Sequence, residues 1–137
     1  MSYYDHEKES AKELYENRLI TDVLKKKKSL LISFSGTDNK LKLIADTDCC
    51  DVSWFELYPE SEVEYECMID RMITTIYVSE EIIKLPPSGR QKCDKNKIVV
   101  IEFDDETQFK FILRNSSNGY YSSSLRIEVI DSDGDRI

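Results

Sequence analysis

Histidine, paired cysteines and long apolar runs are scarce in this sequence. It has a single histidine, His6, and four cysteines with no CxxC spacing, whereas zinc sites usually draw three or four ligands from such close pairs. No apolar run approaches the roughly 20 residues of a membrane-spanning helix, and the first residues lack the basic and apolar segments of a signal peptide. We therefore expect no metal, no cofactor, no membrane association, and reduced thiols in an intracellular compartment.

Positive charge is also in deficit. Nineteen Lys and Arg residues stand against twenty-seven Asp and Glu residues, which gives a formal net charge of −8. Broad binding to nucleic acid needs about one cation per contacted phosphate, so the acidic balance indicates protein partners, cations or simple solubility instead. The exception is Lys25–Lys28, which predicts an exposed hairpin tip, or else a contact with a phosphate or an acidic partner.

A series of apolar landmarks occurs twice in the same order. The first copy comprises Asn17–Val23, Leu31–Phe34, Leu41–Leu43 and Phe55–Leu57. The second comprises Asp70–Ile76, Val100–Phe103, Phe109–Phe111 and Ile127–Val129. Each landmark is apolar at the same alternate positions, which favours an internal duplication over chance.

Each copy predicts a helix followed by antiparallel strands. The helices are expected at 5–16 and 60–69, the closing strands near 52–57 and 122–130, and the hairpins pair 29–35 with 40–46 and 97–103 with 108–114. We predict one α+β domain over residues 1–137, internally duplicated as αβββ-like repeats at about 5–58 and 60–131. Their strands would form a twisted antiparallel sheet, a sandwich or a partly closed barrel, and 132–137 would be an acidic tail.

The alternation of the strands also predicts the core. Its expected members are Leu14, Leu19, Ile32, Phe34, Leu41, Leu43, Phe55, Met72, Ile76, Ile101, Phe103, Phe109, Phe111, Leu125, Ile127 and Val129. The second copy has an additional segment, residues 82–95, in which Pro86-Pro87 and Ser88-Gly89 end any strand, so we expect an exposed excursion there.

Two short segments occupy equivalent places, each just before a closing strand. They are Asp48-Cys49-Cys50-Asp51 and Asn118-Gly119-Tyr120-Tyr121-Ser122. Carboxylates beside a thiol raise its pKa and suppress the thiolate, so packing is favoured over a reactive cysteine. One tyrosine ring would lie on each face of the strand. The outer ring, with Asn118 and Ser122, would form an aromatic and hydrogen-bonding surface for a partner or a small ligand, or would only cover an edge. Trp54 would either widen that surface or belong to the core.

The carboxylates at positions 46–51 and 104–106 raise the further possibility of a metal-dependent nuclease, but an acidic hairpin tip is more naturally solvent-exposed. We therefore assign no catalytic and no metal-binding residue.

These motifs resemble a family of small uncharacterised proteins found largely in phage and other viral genomes. In that family a GKTI-like strand opens the domain, a DCCE-like doublet follows the hairpin, and an SNGYYSE-like segment precedes the last strand. The likeness spans roughly residues 17–131. Here Asn17 stands where the opening glycine would be, Asp51 replaces the glutamate of the doublet, and Ser123 replaces the last glutamate. The resemblance implies a viral accessory protein and no particular reaction.

We therefore expect a non-enzymatic accessory protein of viral type that contacts a host or viral protein in the host cytoplasm or the virion. One alternative is a protein that sequesters or hydrolyses a nucleotide-like small molecule, which needs a cavity of roughly 300 Å³ with convergent polar groups. The other is a structural virion component, which needs a self-complementary apolar patch.

Overall fold

The computed structural model describes residues 3–46, 52–58, 64–79, 93–117 and 124–135. Its elements are α1 (Tyr3–Tyr15), β1 (Ile20–Lys25), β2 (Ser29–Phe34), β3 (Lys40–Asp46), β4 (Val52–Leu57), the 3-10 helix η1 (Tyr65–Met68), β5 (Ile73–Val78), β6 (Cys93–Phe103), β7 (Gln108–Ser117) and β8 (Ser124–Ile130).

The strands form two open antiparallel sheets of four strands each, in the orders β1-β2-β3-β8 and β4-β7-β6-β5. Each half of the chain contributes three strands to one sheet and its fourth strand to the other, since β8 pairs with β3 and β4 pairs with β7. The predicted antiparallel strands and both predicted hairpins are confirmed. The exchange of the fourth strands was not predicted.

Helix α1 forms because its apolar residues recur at the spacing of a helix face. Ala11, Leu14 and Tyr15 are buried while Lys12 and Glu13 are exposed, and the buried face packs on β8, β3 and β5. The helix ends before Asn17, whose φ of 61° is the left-handed conformation common just after a helix. Asparagine tolerates this conformation better than most residues.

The second predicted helix is not an α-helix in the part that the structure describes. Residues 65–68 form one turn of 3-10 helix, with Tyr65 and Met68 buried. Ile69 is extended, and Asp70 has a φ of 68°, so the chain turns at once into β5. One α-helix is therefore present in the described residues, and a pair of αβββ repeats with a helix each is not confirmed.

The predicted core residues Leu19 and Met72 are not part of the buried core, because a β-bulge follows each of them in the first strand of its half. The register shifts between Ile20 and Asp22 in β1, and again between Ile73 and Thr75 in β5. An extra residue reverses which side chains face inward. Ile20 and Ile73 are consequently buried, whereas the predicted core residue Leu19 is 43% exposed and Met72 is half-buried.

The rest of the predicted core is largely confirmed. The buried members are Leu14, Ile32, Phe34, Leu41, Leu43, Phe55, Ile76, Ile101, Phe103, Phe109, Phe111, Leu125 and Ile127, and Val129 is partly buried against them. The predicted excursion at 82–95 is too long at its end, because β6 begins at Cys93. Residues 80–92 lie outside the described residues.

A second apolar cluster lies on the other face of the β4-β7-β6-β5 sheet. Ile98, Val100 and Ile112 are buried there, and Tyr58 packs against them. These residues alternate along their strands with Val99, Ile101 and Phe111 of the main core. This sheet therefore buries side chains on both of its faces.

Candidate functional site

Trp54 is the one residue of the predicted site that the structure describes. The remaining predicted site residues are Asp48, Cys49, Cys50, Asp51, Asn118, Gly119, Tyr120, Tyr121 and Ser122, and they lie outside the described residues.

Trp54 belongs to a hydrogen-bonded cluster with Glu56 and Arg114. The indole Nε1–H donates to Glu56 Oε1 at 2.8 Å, and Arg114 Nη1 donates to Glu56 Oε2 at 3.2 Å. The guanidinium carbon of Arg114 also lies 5.5 Å from the centre of the Trp54 ring, within range of a cation–π interaction. Glu56 thus uses one oxygen for each neighbour and fixes the orientation of the indole.

The cluster is positioned by the pairing of β4 with β7. Trp54 lies opposite Arg114 in the register, and Ser53 lies opposite Asn115 on the core-facing side. Asn115 Nδ2 donates to Ser53 Oγ at 3.1 Å, and both residues are fully buried. A buried polar pair between two strands favours one register over those that would separate it. The Ser53–Asn115 pair therefore holds Trp54 beside Arg114.

Lys25 and Tyr65 lie near enough to Glu56 for its charge to act on both. The Lys25 Nζ is 5.8 Å from the centre of the Tyr65 ring. Burial lowers the pKa of the Lys25 ammonium group, and the nearby carboxylate of Glu56 partly offsets this. Burial also raises the pKa of the Tyr65 hydroxyl, and Glu56 raises it further. Glu56 therefore accepts hydrogen bonds from Trp54 and Arg114. Its charge also acts on Lys25 and Tyr65.

The lysine-rich hairpin tip is held against β3 and β4 by its backbone. Phe55 N–H donates to the Lys27 carbonyl at 3.0 Å, and Ala45 N–H donates to the Lys28 carbonyl at 2.9 Å. The side chains of Lys26, Lys27 and Lys28 are exposed. The exposed hairpin tip predicted over Lys25–Lys28 is confirmed for Lys26–Lys28, whereas Lys25 is half-buried.

A cleft of about 290 Å³ lies between α1 and β5. It is lined by Glu9, Ala11, Lys12, Tyr15, Thr75, Ile76, Tyr77 and Ile127. Strand β5, which contributes Thr75, Ile76 and Tyr77 to this lining, is an edge strand of its sheet in the described residues. Tyr77 is 38% exposed, and its hydroxyl donates to Glu102 Oε1 at 3.0 Å.

Cys67 is the free cysteine that the structure describes. Burial raises the pKa of its thiol, and the opposing charge of Arg71 reduces that shift without reversing it. A raised pKa lowers the thiolate fraction and hence the nucleophilicity. Among the described residues, no group of three or more His, Cys, Asp and Glu side chains is arranged to hold a metal ion.

Sequence reasoning identified Trp54 but missed its partners. The spacing Trp54-x-Glu56 placed both side chains on one face of a strand, which was a usable signal for the first contact. Arg114 carried no signal of its own, because its place opposite Trp54 depends on the exchange of β4 into the other sheet. In the described residues, no helix is long and apolar enough to cross a membrane.

Residues 12–127 match the family described as "Domain of unknown function (DUF7448)". The chain belongs to the DUF7448 family. It is also similar to the uncharacterized protein L278 of Acanthamoeba polyphaga mimivirus, with 36% identity over 125 residues that cover 90% of this chain and 97% of that protein. The predicted resemblance to a viral family is confirmed at this level, although the particular motifs are not. No solved structure matches this DUF7448 protein.

Proposed function

We propose that this DUF7448 protein is a non-enzymatic accessory protein of viral type that acts by binding another protein through a surface centred on Trp54. The observation that carries the proposal is the fixed orientation of a half-buried indole, with Glu56 and Arg114 holding its N–H and its ring. The similarity to a mimivirus protein supports a partner of host or viral origin, met in the host cytoplasm or the virion.

Tryptophan and arginine are the side chains most often found at the energetic centres of protein interfaces. Binding is less costly when such side chains are already ordered, since little rotamer freedom is then lost. Trp54 and Arg114 are ordered by one shared carboxylate, and the Arg114 side chain is only 10% exposed. The accessible part of the indole is therefore a rigid apolar contact with a polar rim, which suits a protein partner.

The pKa values of Tyr65 and Cys67 argue against a nucleophilic role for either side chain. Both are raised chiefly by burial, which disfavours their anionic, nucleophilic forms. The small-molecule alternative has less support, because polar groups of the cleft at α1 come mainly from exposed Glu9, Lys12 and Tyr77.

The proposal includes the internal duplication inferred from the sequence. Matching sheet orders, a bulge at the same place in β1 and β5, and left-handed residues at Asn17 and Asp70 support it. The β4–β7 and β3–β8 registers place Leu125, opposite Ala45, as the counterpart of Phe55, opposite Leu113. The sequence landmarks match Phe55 with Ile127, whereas the strand registers match Phe55 with Leu125, two residues earlier.

Comparative affinity capture tests the proposed function. Wild-type protein and the Trp54→Ala variant are used as bait in lysate of infected host cells, and captured proteins are quantified by mass spectrometry. Loss of one large contact is expected to weaken binding by about 1–3 kcal/mol, so the partner is recovered by wild type and depleted with Trp54→Ala. Leu24→Ala is the matched control, because Leu24 is an exposed apolar residue at 49% exposure on another strand.

Two results would overturn the proposal. One is equal recovery of every captured protein by wild type and Trp54→Ala, with both variants folded. The other is equal depletion by Trp54→Ala and Leu24→Ala, which would mean that no interaction is specific to the Trp54 surface.

A further inference from the structure

We infer that the partner bound at the Trp54 surface presents an acidic segment, whose carboxylates contact Lys26–Lys28 while an apolar side chain contacts the indole. The inference rests on the proposed function, because it names the chemistry of the partner at that same surface. It joins two features of the sequence that lie far apart along the chain, the lysine run Lys25–Lys28 and the single tryptophan.

One backbone hydrogen bond places the lysine-rich hairpin tip beside Trp54. Phe55, the residue after Trp54, donates its N–H to the Lys27 carbonyl at 3.0 Å. Backbones joined by such a bond lie about one strand spacing apart, roughly 4.8 Å. A lysine side chain carries its ammonium group on a flexible four-carbon stem. The exposed lysines of the tip are therefore within reach of a ligand that touches the indole.

Two further backbone contacts hold the tip in this place. Ala45 N–H donates to the Lys28 carbonyl at 2.9 Å, and Lys26 N–H donates to the Ser29 carbonyl at 2.8 Å. Strand β3, which contains Ala45, and strand β4 belong to different sheets, so the tip is tied to both. Its backbone is positioned before a partner arrives, which lowers the entropic cost of binding.

The positive charge of the tip exceeds the negative charge of the cluster beside it. Glu56 is the carboxylate of that cluster, and its two oxygens already accept hydrogen bonds from Trp54 and Arg114. Lys26–Lys28 add three exposed ammonium groups. The chain as a whole has a net charge of −8, so this is a local basic site on an acidic protein. Such a site is complementary to carboxylates on a partner.

An acidic protein segment fits this surface better than a nucleic acid does. Proteins that bind single strands stack successive bases on aromatic rings along a basic groove. The three exposed lysines here belong to one turn of the chain, and the guanidinium carbon of Arg114 already lies 5.5 Å from the centre of the indole ring. The net charge of −8 also opposes a long polyanion. A short segment with clustered carboxylates avoids both difficulties.

The test uses two synthetic peptide mixtures and the full-length, ¹⁵N-labelled protein. Both contain peptides of about nine residues with leucine at the centre, randomised ends and no tryptophan. Glutamate flanks the leucine in one mixture, and glutamine flanks it in the other. We expect the glutamate mixture to shift the indole N–H resonance of Trp54 and the amide resonances of Lys26–Lys28. The glutamine mixture should bind about tenfold more weakly.

Two double variants separate the tip from the overall charge. Lys26→Gln/Lys28→Gln should weaken binding of the glutamate mixture by about tenfold, because two ammonium groups are lost while the backbone bonds of the tip remain. Lys12→Gln/Lys110→Gln makes the same change in net charge at exposed lysines of α1 and β7, and it should bind as wild type does. High salt should weaken binding to the wild-type protein.

Four outcomes with these probes overturn the inference. In the first, neither mixture shifts the Trp54 indole resonance. In the second, the two mixtures bind equally, which removes the role of the carboxylates. In the third, the two double variants weaken binding equally, so that only net charge matters. In the fourth, a single-stranded oligothymidine shifts the same resonances at a lower concentration than the glutamate mixture, which assigns the tip to nucleic acid.

Titration of the purified captured partner distinguishes a failure of this inference from a failure of the proposed function. Weaker binding with Trp54→Ala and unchanged binding with Lys26→Gln/Lys28→Gln would overturn the inference and leave the proposed function standing. Unchanged binding with both would overturn both. We expect both to weaken binding, and Lys12→Gln/Lys110→Gln to leave it unchanged.

Discussion

Leu19 and Met72 form an isolated antiparallel bridge between the two halves of the chain. Ile20 N–H donates to the Arg71 carbonyl at 2.9 Å, and Asp70 N–H donates to the Ile20 carbonyl at 2.8 Å. Each bridging residue also accepts a bond from the hairpin of its own half, Leu19 from Ser35 at 2.9 Å and Met72 from Asp104 at 3.0 Å. The bridge therefore joins the two sheets at corresponding positions.

The bulges in β1 and β5 predict losses of stability of very different size for neighbouring residues. Ile20→Ala and Ile73→Ala should each lower the free energy of unfolding by about 2–5 kcal/mol, because both side chains are buried in the core. Leu19→Ala should cost less than about 1 kcal/mol, since Leu19 is 43% exposed. Urea denaturation of the three variants checks this. An equal cost for Leu19→Ala and Ile20→Ala would contradict the bulged register.

Sequence alternation predicted the hairpins but failed at these first strands for a physical reason. In β2 and β3 no residue is inserted, so every second side chain is buried as expected. A bulge leaves no mark in the apolar pattern here, because Leu19, Ile20 and Val23 fit either face. The exchange of β4 and β8 between sheets was equally hidden, since strand pairing depends on long-range contacts rather than on local sequence.

The β6–β7 turn contains a residue in a strained backbone conformation. Glu106 has a φ of 69°, whereas Gly36 occupies the left-handed position in the β2–β3 turn. A residue with a Cβ is destabilised by about 1–2 kcal/mol in this conformation. Glycine relieves that strain, but its greater backbone freedom in the unfolded chain offsets about 0.5–1 kcal/mol of the gain. Glu106→Gly should thus raise the free energy of unfolding by up to about 1 kcal/mol in urea denaturation.

Gly36→Ala is the reciprocal variant. The added Cβ would lie 3.1 Å from Arg18 Nη1, and the alanine would have to adopt the positive φ of Gly36. The substitution should therefore destabilise the protein by about 1 kcal/mol or more. Stabilisation by Gly36→Ala, or a loss of stability in Glu106→Gly, would show that turn strain is not the dominant effect.

Tyr65 carries a buried hydroxyl with no hydrogen-bond partner among the described residues. An unsatisfied buried polar group costs about 1–3 kcal/mol, so Tyr65→Phe should raise the free energy of unfolding by about 1 kcal/mol. Tyr77→Phe is the control with the opposite sign, because it removes the bond to Glu102. A destabilised Tyr65→Phe would mean that the hydroxyl has a partner in the folded protein.

The contacts of the Asp105 carboxyl group predict that the stability of the protein depends on pH. Hydrogen bonds from the side chain and backbone of Thr107, and then the charge of Arg71, lower the pKa of its carboxyl group below the ordinary value. A lowered pKa in the folded state stabilises the protein at neutral pH, and this contribution is lost as the pH falls through the folded-state pKa. Asp105→Asn should therefore be less stable than wild type at pH 7.

The difference between wild type and Asp105→Asn should begin to shrink below about pH 4, where the carboxyl group of the unfolded chain becomes protonated. It should be lost below the folded-state pKa, where the carboxyl group is protonated in both states. Urea denaturation at several pH values measures it, and Asp104→Asn, at the neighbouring exposed position, serves as the control. A difference that stays constant down to pH 3 would exclude the Asp105–Thr107–Arg71 contacts as its origin.

The candidate site was predictable only in part. Trp54 was identifiable as an aromatic residue on an alternating strand, and the contact with Glu56 follows from their spacing. The buried Ser53–Asn115 pair and the position of Arg114 require the β4–β7 pairing, which joins residues distant in sequence. The cleft at α1 was not predictable either, because it depends on how the edges of two sheets meet beneath a helix.

Trp54 is the only tryptophan in the sequence, so selectively excited tryptophan fluorescence reports on the proposed binding surface alone. The most direct measurement is a titration of the wild-type protein with its purified captured partner, prepared without tryptophan. We predict that the emission of Trp54 shifts to shorter wavelength and saturates with the binding isotherm measured by calorimetry, because the accessible part of the indole is removed from water. Full binding by calorimetry with an unchanged Trp54 emission would contradict the account.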